Sequence, residues 1–147
     1  MARGALASQA REYVLNEHPA LVLRVIECAD AVAAGWDGDA TTDPDAVADR
    51  LETVLEHAGV VRRLPGVLEG AVEAVDGRLR ASPVPAAPYV VVTSRGPVLR
   101  ATTDRGRLVV TVAVFDVERA AGGGARYVRS AETPGEAVDV ALRESSQ

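Results

Sequence analysis

The chain has 147 residues, 25% of them charged, 48% hydrophobic and 3% aromatic, so it is long enough to bury a core without disulfide or metal staples. All 16 basic residues are arginine, set against 21 acidic residues for a net charge of −5; the missing lysine excludes Schiff-base catalysis, a phosphate-loop lysine and pyridoxal attachment. Cys28 is the single cysteine, which removes a disulfide scaffold and favours a reducing compartment.

No 18-residue apolar run occurs, and the start MARGALASQAREY lacks the order of a signal peptide, so a cytoplasmic protein with no membrane partner is expected. Charge is unevenly distributed. Asp37, Asp39, Asp43, Asp45 and Asp49 crowd together early, while Arg95, Arg100, Arg105, Arg107, Arg119, Arg126 and Arg129 concentrate later. Such asymmetry suits a solvated surface, self-association or an anionic partner.

Over residues 5–34 the apolar positions recur at helical spacing. Val14, Leu21, Val25, Cys28 and Val32 make one stripe and Val22, Ile26, Ala29 and Ala33 lie beside it, leaving a narrow polar face of Arg24, Glu27 and Asp30. Pro19 removes an N–H inside this pattern and predicts a kink or a restart near Glu17 and His18. Asp43 followed by Pro44 predicts a second helix start. Val47, Leu51, Val54, Leu55 and Ala58 form that helix's buried face and Gly59 its end. A third helix is predicted from Pro65 to about Gly77, with Val67, Leu68, Ala71, Val72 and Val75 inward.

The proline-rich stretch 81–88 then breaks the helical period, and beyond it the period becomes two. Strands are predicted over Tyr89–Ser94, Val98–Thr103, Leu108–Val117 and Ala125–Ser130, joined first by hairpins at Arg95-Gly96-Pro97 and Asp104-Arg105-Gly106. In the third strand Leu108, Val110, Val112 and Val114 face one side and Val109, Thr111, Ala113, Phe115 and Val117 the other. Both sides being apolar predicts cover on both faces or a subunit interface on one. After the flexible Gly122–Gly124, Thr133-Pro134-Gly135-Glu136 has capping-box spacing and predicts a short final helix with Ala137, Val138, Ala141 and Leu142 on its apolar face; the tail from Glu144 is expected to fray.

The expected fold is therefore α+β: three N-terminal helices packed on a four-stranded antiparallel meander, with a short C-terminal helix at its edge. A single domain over residues 1–147 follows, with a helical part at 5–80, the connector at 81–88, and the sheet and final helix at 89–144.

The motifs for chemistry are weak in context. Asp37-Gly38-Asp39-Ala40-Thr41 has the DxDxT spacing of aspartate-nucleophile phosphatases, but it follows a helix where the chemistry needs a buried strand, and no lysine is available downstream. Read as a calcium loop from Asp37, the segment offers Thr42 where glycine is needed and Ala48 where a bidentate glutamate is needed. Capping and a solvated turn are the expected roles. His18 and His57 have no partner ligand three or four residues away, and both are expected to be half-buried packing residues. Cys28 sits on the apolar stripe as a small buried hydrophobe. Ser94 lacks a nucleophile elbow, and Gly122–Gly124 precede a strand rather than a helix, unlike a phosphate cradle.

What remains is the sheet. Arg100 with Thr102, Arg107 with Thr111, and Tyr127 with Arg129 alternate so as to share the face away from the helices. Such a face suits phosphate backbones or a stacked base, while the acidic balance and five aromatic residues argue against nucleic acid. No catalytic constellation, cofactor motif or metal set stands out. The reading that follows is a binding or interaction protein, more a non-enzyme than an enzyme, self-associating as a dimer. Its expected interaction surface comprises Arg100, Arg107, Val109, Phe115, Tyr127 and Arg129. An RNA- or ribosome-associated role is the second reading, and a small-molecule enzyme with an unrecognised site the third.

The runs Trp36-Asp37-Gly38-Asp39-Ala40-Thr41-Thr42-Asp43 and Pro88-Tyr89-Val90-Val91-Val92-Thr93-Ser94-Arg95-Gly96-Pro97-Val98-Leu99-Arg100 resemble a group of small haloarchaeal proteins of unassigned function. The resemblance extends from the first helix to about Phe115 and implies a salt-rich cytoplasm, without implying catalysis.

Overall fold

A computed structural model describes residues 2–119 and 122–144. Helices α1 (Arg3–Glu17) and α2 (Pro19–Ala34) are separated by His18 alone. Pro19 lies in the first turn of α2, where its missing N–H leaves no bond unmade, so the chain restarts there rather than bending. The restart raises the count of helices before the connector to four. Asp43 Oδ1 accepts the N–H groups of Asp45 at 3.1 Å and Ala46 at 3.2 Å and opens α3 (Pro44–His57) as the sequence indicates. Gly59 at φ 76° closes it: its N–H bonds Glu56 O at 3.0 Å while that of Val60 bonds Leu55 O at 2.9 Å. A 3₁₀ turn (Val61–Arg63) leads into α4 (Leu64–Ala74), which ends the same way with Asp76, at φ 56°, in the left-handed position.

The remaining chain forms two antiparallel sheets. The larger takes β2 (Val90–Val92), β3 (Pro97–Thr103), β4 (Gly106–Val112) and β7 (Val138–Arg143), side by side in that order. The smaller takes β1 (Ala40–Thr41), β6 (Ala125–Arg129) and β5 (Phe115–Arg119). The two expected hairpins are present, and a threonine organises each turn. Thr93 Oγ1 donates to Gly96 O at 2.8 Å and accepts from Arg95 N, and Thr103 Oγ1 donates to Gly106 O at 2.8 Å and accepts from Arg105 N. Gly96 is required: its φ is 147°, and any Cβ there would run into the carbonyl of Val112.

The α+β class holds, and the four-stranded meander is corrected in two places. The stretch read as one strand, Leu108–Val117, divides at Ala113 and Val114 between the two sheets. Arg95 O accepts the N–H groups of Val114 at 2.8 Å and Phe115 at 3.1 Å, which turns the chain out of the larger sheet. Val114 and Phe115 are consecutive and both fully buried, so the strict alternation of one strand ends there. Its apolar character on both sides thus reflects a crossing between sheets.

The final helix is the second correction. The capping box forms, with Thr133 and Glu136 exchanging side-chain bonds, yet α5 (Pro134–Ala137) lasts four residues before Val138–Arg143 becomes β7. Val138, Val140 and Leu142 turn inward while Asp139 and Arg143 are exposed, a period of two that overrides the cap. The fraying expected at residues 145–147 lies outside the described residues.

Helices cover one face only of the larger sheet. α1 packs on β7, α4 on β3 and α3 on β2, while α2 reaches β6 of the smaller sheet. One buried apolar cluster runs through them, from Val14, Val25 and Leu51 to Leu68, Leu99, Leu108 and Phe115.

Candidate functional site

The pleat of the larger sheet sends Leu99, Ala101, Leu108, Val110 and Val112 into the core. The intervening residues therefore form the opposite, uncovered face. Register sets their rows. Thr102 is opposite Arg107 and Arg107 opposite Arg143; next come Arg100, Val109 and Ala141; then Val91, Val98, Thr111 and Asp139. Arg100, Thr102, Arg107, Arg143 and Asp139 are exposed, and Val98, Val109, Thr111 and Ala141 between them are half-buried.

This face has two chemically different ends. At one, Arg80 from the segment after α4 joins Arg100 and Arg107, with Tyr89 and Thr102, around a cleft of about 290 Å³ whose lining has no carboxylate. Among the described residues none of Arg80, Arg100, Arg107 and Arg143 forms an ion pair. At the other end a cleft of about 600 Å³ is bordered by Asp116, Glu136 and Asp139, with Arg95 its lone cation. Arg95 is already bound to Asp116 at 3.3 Å.

The six residues expected to form one surface are divided by the structure. Arg100, Arg107 and Val109 share the open face. Phe115 does not: it is 0% exposed and packs on Trp36 with ring centroids 5.5 Å apart, because it is the first residue after the crossing to the smaller sheet. Tyr127 and Arg129 also belong to the smaller sheet, on β6, where Tyr127 is half-buried opposite Val117 and Thr41. Arg129 is committed internally, with Nε on Asp30 Oδ1 at 2.8 Å and Nη1 donating to the carbonyls of Val114 at 2.9 Å and Ala131 at 3.0 Å. Sequence reasoning misses Arg80, Tyr89, Glu136 and Asp139 as site residues. Asp139 is concealed by the helical reading of the C-terminal segment, whose V-D-V-A-L-R alternation is the signal that finds it, and Glu136 is read from sequence only as a capping residue.

The other candidates lie away from both clefts. Asp37 and Asp39 are exposed beside the short β1, and Asp43 serves as a helix cap. Cys28 is buried, and desolvation pushes its thiol pKa up, which keeps it protonated and inert. His57 is exposed rather than half-buried, because it falls on the solvent side at the end of α3. His18 is half-buried and its Nε2 lies 3.0 Å from the Tyr13 hydroxyl. Burial lowers the His18 pKa and raises that of Tyr13, so a neutral imidazole facing a protonated phenol is the favoured pairing. Among the described residues no group of three His, Cys, Asp or Glu is arranged to hold a metal, and no helix is long and apolar enough to cross a membrane.

Fold and site together define an α+β protein with an open, charge-divided sheet face. The chain belongs to the family described as a domain of unknown function (DUF7988), which it matches over residues 8–143. Neither the curated proteins nor the solved structures contain a match to it.

Proposed function

We propose that the protein is a non-catalytic interaction module that pairs with a second copy of itself through the open face of the larger sheet. The observation that carries this reading is the division of the face into an arginine end and a carboxylate end. A twofold axis lying in the face and crossing its strands sets the arginine end of one copy over the carboxylate end of the other. Val98, Val109, Thr111 and Ala141 form the small-residue centre between those ends, which suits face-to-face sheet packing at about 10 Å. Burial of that centre supplies the non-directional part of the association, and the charges fix orientation.

Within this reading the chain acts as one domain over residues 1–147 in a cytoplasm, with no cofactor or metal required. A salt-rich setting, as in the small haloarchaeal proteins it resembles, shortens the Debye length to about 3 Å at 1 M and leaves the apolar centre as the larger contribution. RNA on the same face is the second reading, favoured by Tyr89 and Thr102 beside the arginines. A strand following the sheet would meet Asp139 and Glu136 at the far end, which favours the protein partner.

Light scattering on the purified chain, with the 260/280 nm absorbance ratio recorded, tests the proposal. A dimer free of nucleic acid that Val109→Asp converts to monomer supports it. A monomer, or a dimer indifferent to Val109→Asp in a variant with unchanged circular dichroism, overturns it, and nucleic acid released by salt promotes the RNA reading.

A further inference from the structure

We infer that the cleft walled by Arg80, Arg100 and Arg107 binds the phosphoryl group of a small phosphorylated organic molecule. Three arginines line it from three separate elements: the segment after α4, β3 and β4. The lining contains no carboxylate in a chain where acidic residues outnumber basic ones 21 to 16. Arg107 also stands directly opposite Arg143 on β7, which lies outside the cleft, so positive charge is crowded at this end of the face. A tetrahedral dianion suits the cleft, since its oxygens accept forked N–H pairs from more than one arginine, and the Thr102 hydroxyl adds a neutral donor.

The rest of the wall specifies the rest of the ligand. Leu79, Ala81, Pro88 and Tyr89 line the same cleft and give the non-phosphate part an apolar surface with one aromatic ring. A volume of about 290 Å³, just under the usual range of roughly 300–1,000 Å³, suits a small molecule. A nucleic-acid backbone presents the same phosphoryl chemistry, but it needs a basic track, and this cluster ends within two rows of Asp139.

The site shares Arg100 and Arg107 with the self-pairing face, but it can be tested separately, because Arg80 lies outside the paired strands and Asp139 lies outside the cleft. Calorimetric titration at constant ionic strength, with phenyl phosphate, inorganic phosphate and phenol as probes, tests it on the wild-type chain and on Asp139→Arg, a variant that weakens pairing and leaves the cleft untouched. Phenyl phosphate is expected to bind more tightly than inorganic phosphate, and phenol not at all. Arg80→Ala and Arg107→Ala should each weaken phenyl phosphate about tenfold, the order expected for one charge-assisted hydrogen bond. No saturable heat with phenyl phosphate up to about 10 mM in either background overturns the inference. So does an affinity that both arginine variants leave unchanged. An RNA dodecamer that binds more tightly than phenyl phosphate and depends on Arg80 assigns the phosphoryl contact to a nucleic-acid backbone and overturns the small-molecule site.

Discussion

On β6 of the smaller sheet, Arg129 is held by Asp30 and three backbone carbonyls, and Arg126 by Glu118 at 2.8 Å. On the larger sheet Arg100, Arg107 and Arg143 have no carboxylate partner among the described residues. The side-chain surroundings separate the two cases. Arg129 is only 17% exposed and must be satisfied within the chain, whereas the open-face arginines are hydrated and free to meet an incoming group. Arginine on a strand is thus structural in one sheet and available for binding in the other.

The largest expected effect breaks the structural side. Phe115→Ala removes a fully buried ring from the point where the chain passes between sheets, and should destabilise the fold by about 3–5 kcal/mol in denaturant unfolding. Arg129→Ala comes next. It strips the bond to the exposed Asp30 carboxylate and those to the partly buried carbonyls of Val114, Ala131 and Ile26, and should cost about 2–3 kcal/mol, while Arg126→Ala, which loses an exposed pair, should cost less than about 1 kcal/mol. Equal losses for the two variants would remove the distinction between a held arginine and a decorative one.

The same distinction explains what the sequence reveals and what it conceals. Asp43-Pro44, Gly59 and the two glycine hairpins are legible because their signals are local: a cap, a left-handed residue, a turn. Phe115 is misassigned because alternation extrapolated through Val114 carries it to the open face, and only the tertiary bond to Arg95 O turns the strand. The C-terminal segment misleads differently: a true capping box announces a helix that pairing with β4 then ends after one turn. Losing β7 also hides the carboxylate end of the face. Its basic end is visible in Arg100 and Arg107, and its contrast with Asp139 is not, so the face looks generically basic from sequence and proves to be divided.

On the available side, charge exchange sharpens the comparison. Arg107→Asp and Asp139→Arg should each weaken self-pairing about tenfold or more at low salt, by placing like charges over one another. The double variant restores opposite charges across the twofold and should recover much of the loss. Sedimentation equilibrium over a concentration series reads all three; a double variant no better than the worse single one would show that these two positions do not meet.

The smallest effect couples the two proposals. Arg100 and Arg107 face the carboxylate end of a second copy and also wall the arginine cleft, so a phosphoryl group and the second copy compete for them. By mass action a ligand that binds the unpaired chain more tightly shifts it toward monomer, by an amount that grows only as the logarithm of ligand concentration. Phenyl phosphate should therefore weaken pairing a few-fold in the wild-type chain. In Arg80→Ala, which keeps the pairing residues and loses part of the cleft, the same concentration should weaken it less. If phenyl phosphate weakens both chains equally, the competition does not pass through the cleft, and ordinary screening of the charged ends is the better account.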